Sequence, residues 1–173
     1  MEPKKVGDSV TVMPVRMLPQ DANPAGFVHG GAILKQVDLV GGIVAMRHCR
    51  SAVVTVSIDR MDFLTPAHVG EVMVFKGSVN YAGSTSIEVG VRVEAEDLMT
   101  GAIRHAGSAY LTFVAMDADR RPTAVPPLVL ETPAERRRHA EALTRRETRL
   151  VERRREKAGQ DQARSEEKPA GHG

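Results

Sequence analysis

One long apolar segment, from Gly31 to about Arg47, precedes four β-patterned stretches joined by short turns, and that order leaves the chain few ways to fold. Within the segment Ile33, Leu34, Val37, Val40, Ile43 and Val44 recur at three- and four-residue steps, the spacing of a helix. Leu39 and Met46 carry apolar surface round the remaining faces, so other elements must wrap it. The Gly41–Gly42 pair costs about 1 kcal/mol per residue in helix propensity. Close packing against a sheet is its first explanation, and room for a thin ligand is compatible with that.

Residues 9–18 alternate as a first strand, with Pro14 marking an edge position or a bulge. The four later stretches are 52–63, 71–81, 85–96 and 103–116. Val54, Val56 and Ile58 are expected on one face of the first; Ile87, Val89, Val91 and Val93 share one face of the third. Pro66 and Gly70, then Ala82–Gly83–Ser84, then Leu98–Gly101 separate them. Such a meander predicts an α+β domain, a curved antiparallel sheet wrapped around the helix, over residues 1–120. One helix covers one face only. The remaining surface and edges call for a second subunit, in preference to a monomer closed by its own carboxyl-terminal helix.

Residues 121–157 read as a proline-rich connector and a long polar helix from Pro133 to about Lys157, and 158–173 as a disordered tail. Ala140, Leu143 and Leu150 give that helix a narrow apolar stripe, which places it on the surface of an assembly. Residues 1–132 carry 12 Lys/Arg against 14 Asp/Glu, whereas residues 133–157 carry 10 against 5. The body is mildly acidic and lacks a zinc-finger or stacking-aromatic pattern, so nucleic-acid binding is not expected. The single Cys49 rules out an internal disulfide, and no Cys/His spacing suits a metal. No apolar run approaches the roughly 18 residues of a membrane span, so no membrane insertion is expected and a reducing cytoplasm is the simplest setting.

The chemistry concentrates in residues 21–38, Asp-Ala-Asn-Pro-Ala-Gly-Phe-Val-His-Gly-Gly-Ala-Ile-Leu-Lys-Gln-Val-Asp. A helix beginning at Gly30–Gly31 offers unpaired backbone N–H groups to a carbonyl or an anion. Asp38 lies about two turns further in, too deep for a capping residue. Either it is a satisfied carboxylate that fixes the helix or it does chemistry. His29 either holds the turn by a side-chain hydrogen bond or meets substrate. Ser57 and Ser108 lack the glycine-flanked elbow of a serine hydrolase.

Three stretches carry a resemblance: DANPAGFVHGGAILKQVDLVGGIVAMRHC (21–49), VVTVSIDRMDFLTPAHVGEV (53–72) and NYAGSTSIEVGVRVEAEDLMTGA (80–102). On these the chain resembles the hotdog-fold acyl-CoA thioesterases, in the cytosolic acyl-CoA hydrolase branch. RRRHAEALTRRETRL (136–150) is similar to the helix that follows the domain there. The resemblance implies hydrolysis of medium- to long-chain fatty acyl-CoA, in lipid metabolism, to fatty acid and CoA. CoA is then part of the substrate, and no cofactor is implied. It also implies a sheet-paired dimer as the active unit and a hexamer of three such pairs.

By the same resemblance the site is shared: Asn23 comes from one subunit and Asp38 from the other. Asp38 then acts on water as base, or attacks directly. Gly31 N–H, with Gly30, stabilises the oxyanion. The turn holding Gly83, Ser84 and Thr85 is the implied nucleotide site, with His29 near the thioester. Relatives place a cation in that turn and this chain does not, which leaves Arg60, Arg104 or a late-helix arginine as candidates for the phosphates. Two other readings stand beside this one: a thioesterase for short, branched or aromatic acyl-CoA, and a non-catalytic acyl-CoA-binding regulator. A hotdog dehydratase is a minor one, because His29 precedes the helix that holds Asp38.

Overall fold

A computed structural model describes residues 1–166, with side-chain surroundings through residue 160. In chain order the elements are β1 (Lys4–Lys5), β2 (Thr11–Arg16), α1 (Gly30–Cys49), β3 (Ala52–Phe63), β4 (Val72–Ala82), β5 (Ser86–Glu96), β6 (Ile103–Met116), β7 (Leu128–Val129) and α2 (Pro133–Glu166). Among the described residues no helix is long and apolar enough to cross a membrane.

The apolar helix forms where its spacing places it and touches all five strands of one antiparallel sheet, ordered β2-β4-β5-β6-β3. Val37, Val40 and Val44 are fully buried against Met73, Phe75, Ile87, Val89, Leu111 and Phe113. Each such side chain contributes about 1.5–3 kcal/mol on burial. Gly41 is a packing requirement, since a Cβ there would lie 2.9 Å from the Phe113 ring. Gly77 answers it from β4, where a Cβ would lie 2.8 Å from both Val40 and Val44.

Only β4, β5 and β6 run as a meander, which corrects the expected order. Residues 64–71 carry the chain across the end of the sheet, so β3 pairs with β6 and β2 takes the free side of β4. Pro14 therefore sits on an edge strand. A two-residue parallel pairing of β1 with β7 joins the amino terminus to the proline-rich connector. Periodicity cannot detect strands that short.

The face of β3 is also corrected. Register shifts between Thr55 and Ser57 and between Ile58 and Arg60 break the alternation. Val54 lies opposite Val114 on the outer face, while Thr55 and Ile58 lie opposite Phe113 and Leu111 on the helix side. Thr55, ahead of the first shift, faces α1 by ordinary alternation with Val54. In one chain Leu39 and Met46 of α1 and Val54 and Val56 of this edge strand remain exposed.

The end of α1 is held by the amino terminus. Lys4 Nζ donates to His48 O at 2.6 Å, and Arg50, in the left-handed region at φ 54°, closes the last turn with its N–H on Met46 O. His48 is fully buried, with Nε2 2.9 Å from Pro126 O. Burial holds its pKa below the ordinary 6.5, and the nearby Lys4 adds to that against the Pro126 bond. The stability from keeping His48 neutral is complete above pH 6.5 and is lost as pH falls through its lower folded value. Thermal melts should therefore lose stability on acidification below pH 6.5, before carboxylates titrate, and His48→Gln should flatten that slope. An unchanged slope in the variant would remove His48 from the account.

α2 runs past Lys157 to Glu166, so the expected tail of 158–173 begins inside it; residues 167–173 lie outside the described residues. The helix lies on the outer face of its own sheet, and the expected stripe does not dock it: Ala140 and Leu143 are exposed, while Ala142 is fully buried. Polar anchors flank Ala142. His139 Nδ1 is 3.0 Å from Asn80 O. Arg145 binds the buried Glu88 at 2.6 Å and stacks 3.7 Å from the centre of the Tyr110 ring. Arg149 pairs with Asp59. Removing Arg145 alone strands a buried carboxylate, so Arg145→Met should cost about 3 kcal/mol in chemical denaturation and the Glu88→Gln/Arg145→Met pair clearly less. Additive losses would show the pair uncoupled.

Candidate active site

The loop before α1 is built on the crossover after β3. Met17 N–H donates to Glu71 O at 2.9 Å, Gly70 N–H to Met17 O at 2.8 Å, and Val28 N–H to Ala67 O at 2.8 Å. Arg104 grips the crossover in turn, with Nη1 and Nη2 2.6 and 2.7 Å from the two Glu71 carboxylate oxygens and Nη2 2.7 Å from Pro66 O. The Arg104 hydrogen bond holds the Glu71 carboxyl below its ordinary value, against partial burial that opposes it. Arg104 is thus committed to the scaffold, and Arg60 likewise pairs with Asp62 at 2.6 Å. Arg60 engages Asp62 through Nε alone and stays largely exposed, unlike Arg104.

Within the loop, Asn23 Oδ1 accepts from Ala25 N–H at 2.9 Å and Phe27 N–H at 3.2 Å, a turn that spends the side-chain oxygen. Its amide NH2 makes none of these bonds and is the group left to meet a ligand. His29 is the N-cap of α1: Gly31 N–H donates to His29 Nδ1 at 2.9 Å. That bond corrects the expectation for Gly31, whose amide is spent on the cap. The amide left at the helix start is that of Gly30, which forms no hydrogen bond among the described residues.

Asp38 is half-buried on α1, and its Oδ1 accepts from Thr55 Oγ1–H at 2.8 Å. Its second oxygen keeps its lone pairs for another donor. Thr55 was not singled out by sequence reasoning, because a threonine in a strand carries no signal until the helix residue it faces is known. Eight residues separate Gly30 from Asp38, about 12 Å along the axis. The helix-start amide and the carboxylate of one chain therefore cannot serve the same carbonyl.

Gly83, Ser84 and Thr85 lie at the far end of β4 from the loop, about 35 Å of strand away. Gly83 N–H donates to Ser86 O at 2.7 Å, and the carbonyls of Ser84 and Thr85 accept from Val125 and Ala115. The turn is thus a closed hairpin, not part of the same chain's loop site. Beside the helix start is an apolar cavity of about 380 Å³ lined by Val28, Ile33, Phe63, Leu64, Pro66 and Ala67.

A central helix wrapped by a five-stranded antiparallel sheet defines a hotdog-fold domain. The thioesterase superfamily model matches residues 25–102. The chain is 38% identical to an uncharacterised acyl-CoA thioester hydrolase of Bacillus subtilis, YkhA, over 80% of each protein. It is 35% identical to the rat cytosolic acyl coenzyme A thioester hydrolase over 81% of this chain but 37% of that one. An acyl-CoA hydrolase of Staphylococcus aureus, solved with butyryl-CoA and CoA, superposes with a TM-score of 0.86 at 32% identity, covering 92% of this chain and 98% of that one. A hexameric acyl-CoA thioesterase gives 0.85 at 37% identity, covering 88% and 97%. The chain belongs to the thioesterase superfamily, among the acyl-CoA thioester hydrolases. The S. aureus enzyme has also been solved with alanine replacing one asparagine, one aspartate and one threonine. Those three follow one another at separations of 15 and 17 residues, which are also those of Asn23, Asp38 and Thr55.

Proposed function

We propose that this chain hydrolyses acyl-CoA thioesters, medium- to long-chain fatty acyl-CoA foremost, to a carboxylic acid and CoA. The observation that carries the reading is Asp38 held by Thr55 on one oxygen, with the other unspent. In a homodimer Asn23 and Gly30 of the partner subunit face Asp38 and Thr55. The 12 Å separation within one chain, about eight helical rises, supports that division. The partner's Gly30 N–H and Asn23 amide hold the thioester oxygen. Asp38 takes a proton from water as the water oxygen bonds to the carbonyl carbon. The oxyanion that forms keeps both donors, and its collapse breaks the C–S bond and releases CoA thiolate, which is then protonated. A trapped acyl-enzyme anhydride would instead assign direct attack to Asp38.

His29 accepts on Nδ1 and so carries its proton on Nε2, a donor at the exposed rim for substrate. The apolar cavity beside Gly30 supports an aliphatic acyl group. The exposed Leu39, Met46, Val54 and Val56 support pairing of β3 edges into a dimer, and the hexameric relative supports a trimer of such dimers. Gly83, Ser84 and Thr85 reach a nucleotide only from another subunit. The cytosolic relative supports a cytoplasmic setting. Short-chain substrates are the second reading, favoured by the butyryl-CoA complex of the S. aureus enzyme. Free-thiol release measured across acyl lengths tests both: turnover should peak at medium to long chains. A peak at two- to four-carbon acyl groups would select the second reading, and no thiol release from any of them would reject both.

A further inference from the structure

β3 ends on Phe63, and the backbone there is held on both sides. Phe63 stands opposite Gly107 of β6, and Leu64 N–H donates to Ala106 O at 2.8 Å. A Cβ on Gly107 would run into Asp62 O, so the two strands close tightly at this end. The Phe63 side chain does not join the core between α1 and the sheet: it is 54% exposed in one chain. It lies instead on the start of α1. A Cβ on Gly30 would find Cζ, Cε1 and Cε2 of the Phe63 ring as its nearest neighbours, at 3.2, 3.6 and 3.7 Å. The same ring lines the apolar cavity of about 380 Å³, whose Val28, Ile33 and Ala67 walls are buried members of the core. Those three walls are fixed by packing. The ring borders both the cavity and the residue whose amide is unspent, and no contact within the core explains its place.

We propose that Phe63 is a specificity-determining residue that admits straight-chain acyl groups and rejects those branched at the carbon next to the thioester carbonyl. The inference rests on the hydrolytic reading, in which Gly30 N–H holds the thioester oxygen. With the oxygen on that amide, the carbon next to the carbonyl comes against the ring that covers Gly30. A methylene lies flat against an aromatic face. A branch at the same carbon must displace the ring or lift the oxygen from the amide, which is selection by a built-in clash. One extra methylene in a well-packed apolar pocket is worth about tenfold or more in kcat/KM. Phe63 thus selects by cross-section near the carbonyl, while the cavity beyond it takes the rest of the chain.

Octanoyl-CoA and 2-ethylhexanoyl-CoA are isomers, so they differ in shape beside the carbonyl and not in carbon count. Free-thiol release gives kcat/KM for each with the full native chain, Phe63→Ala and Phe63→Leu. Relative to native, Phe63→Ala should move the branched-to-straight ratio toward the branched isomer by about tenfold or more, and Phe63→Leu by less. Referring each ratio to the native one cancels the slower intrinsic chemistry of the branched thioester. A ring with only a structural part would lower both isomers equally. That result, a shift toward the straight isomer, or loss of assembly in light scattering with an unchanged ratio overturns the proposal. If Phe63→Ala fails to fold, Phe63→Leu decides by the direction of its shift. If the native chain releases thiol from neither isomer, the hydrolytic reading falls, and the two thioesters are then inert ligands. Their calorimetric Kd ratio then decides Phe63 separately: the same shift in Phe63→Ala supports it, and an unchanged ratio overturns it.

Discussion

Asp38→Asn is expected to fold as the native chain does and to lose about two to four orders of magnitude in kcat, the usual worth of a positioned general base. The two side chains have the same shape, and the asparagine Oδ1 can still accept the Thr55 hydroxyl that now binds Asp38 at 2.8 Å. What disappears is the negative oxygen able to take a proton from water. Stability should move by less than about 1 kcal/mol, because the position is only half-buried and its hydrogen bond survives. Free-thiol release and a denaturant melt on the same preparation separate the two effects. Turnover within about tenfold of native would take Asp38 out of the acid–base role. Loss of turnover together with a collapsed melt would support the other reading of this carboxylate, as a brace for α1.

Mixing Asn23→Ala chains with Asp38→Ala chains should restore activity that neither has alone. If each site takes Asn23 from one subunit and Asp38 from the other, a mixed pair holds one intact site and one doubly broken site. Random exchange makes half of the pairs mixed, so the mixture should regain about a quarter of native turnover. A site within a single chain predicts nothing, since every chain in the mixture lacks one member. The geometry motivates the test: the Asn23 loop sits at the start of α1, its oxygen bound within its own turn, while Asp38 is two turns along. Absence of recovery after exchange shown by mass-tagged subunits would end the shared-site model, as would full activity in a dilute monomer.

Much of this was readable from residue order. The three- and four-residue recurrence from Ile33 to Val44 fixed α1, because one helix with that many apolar positions must be wrapped. Alternation over Ile87–Val93 fixed the buried face of β5, because every second residue of a regular strand meets the same layer. Glycines before an apolar run, with a carboxylate two turns in, located the candidate site. The same logic failed wherever regularity broke. Two register shifts in β3 moved Ile58 off the face of Val54, and no pattern in residues 52–63 announces them. The cap from His29 decided which glycine amide remains unspent, a matter of one side-chain rotation. α2 was read by its apolar residues, yet buried Glu88 and half-buried Asp59 reach it through arginines. Sequence by itself determined the helix, the strands and the residues able to do chemistry, since those follow from local periodicity and side-chain type. Tertiary structure alone decided strand order, the Thr55 contact, the fate of each arginine and the distance between Gly30 and Asp38, because these depend on which distant groups the closed sheet brings within hydrogen-bonding reach.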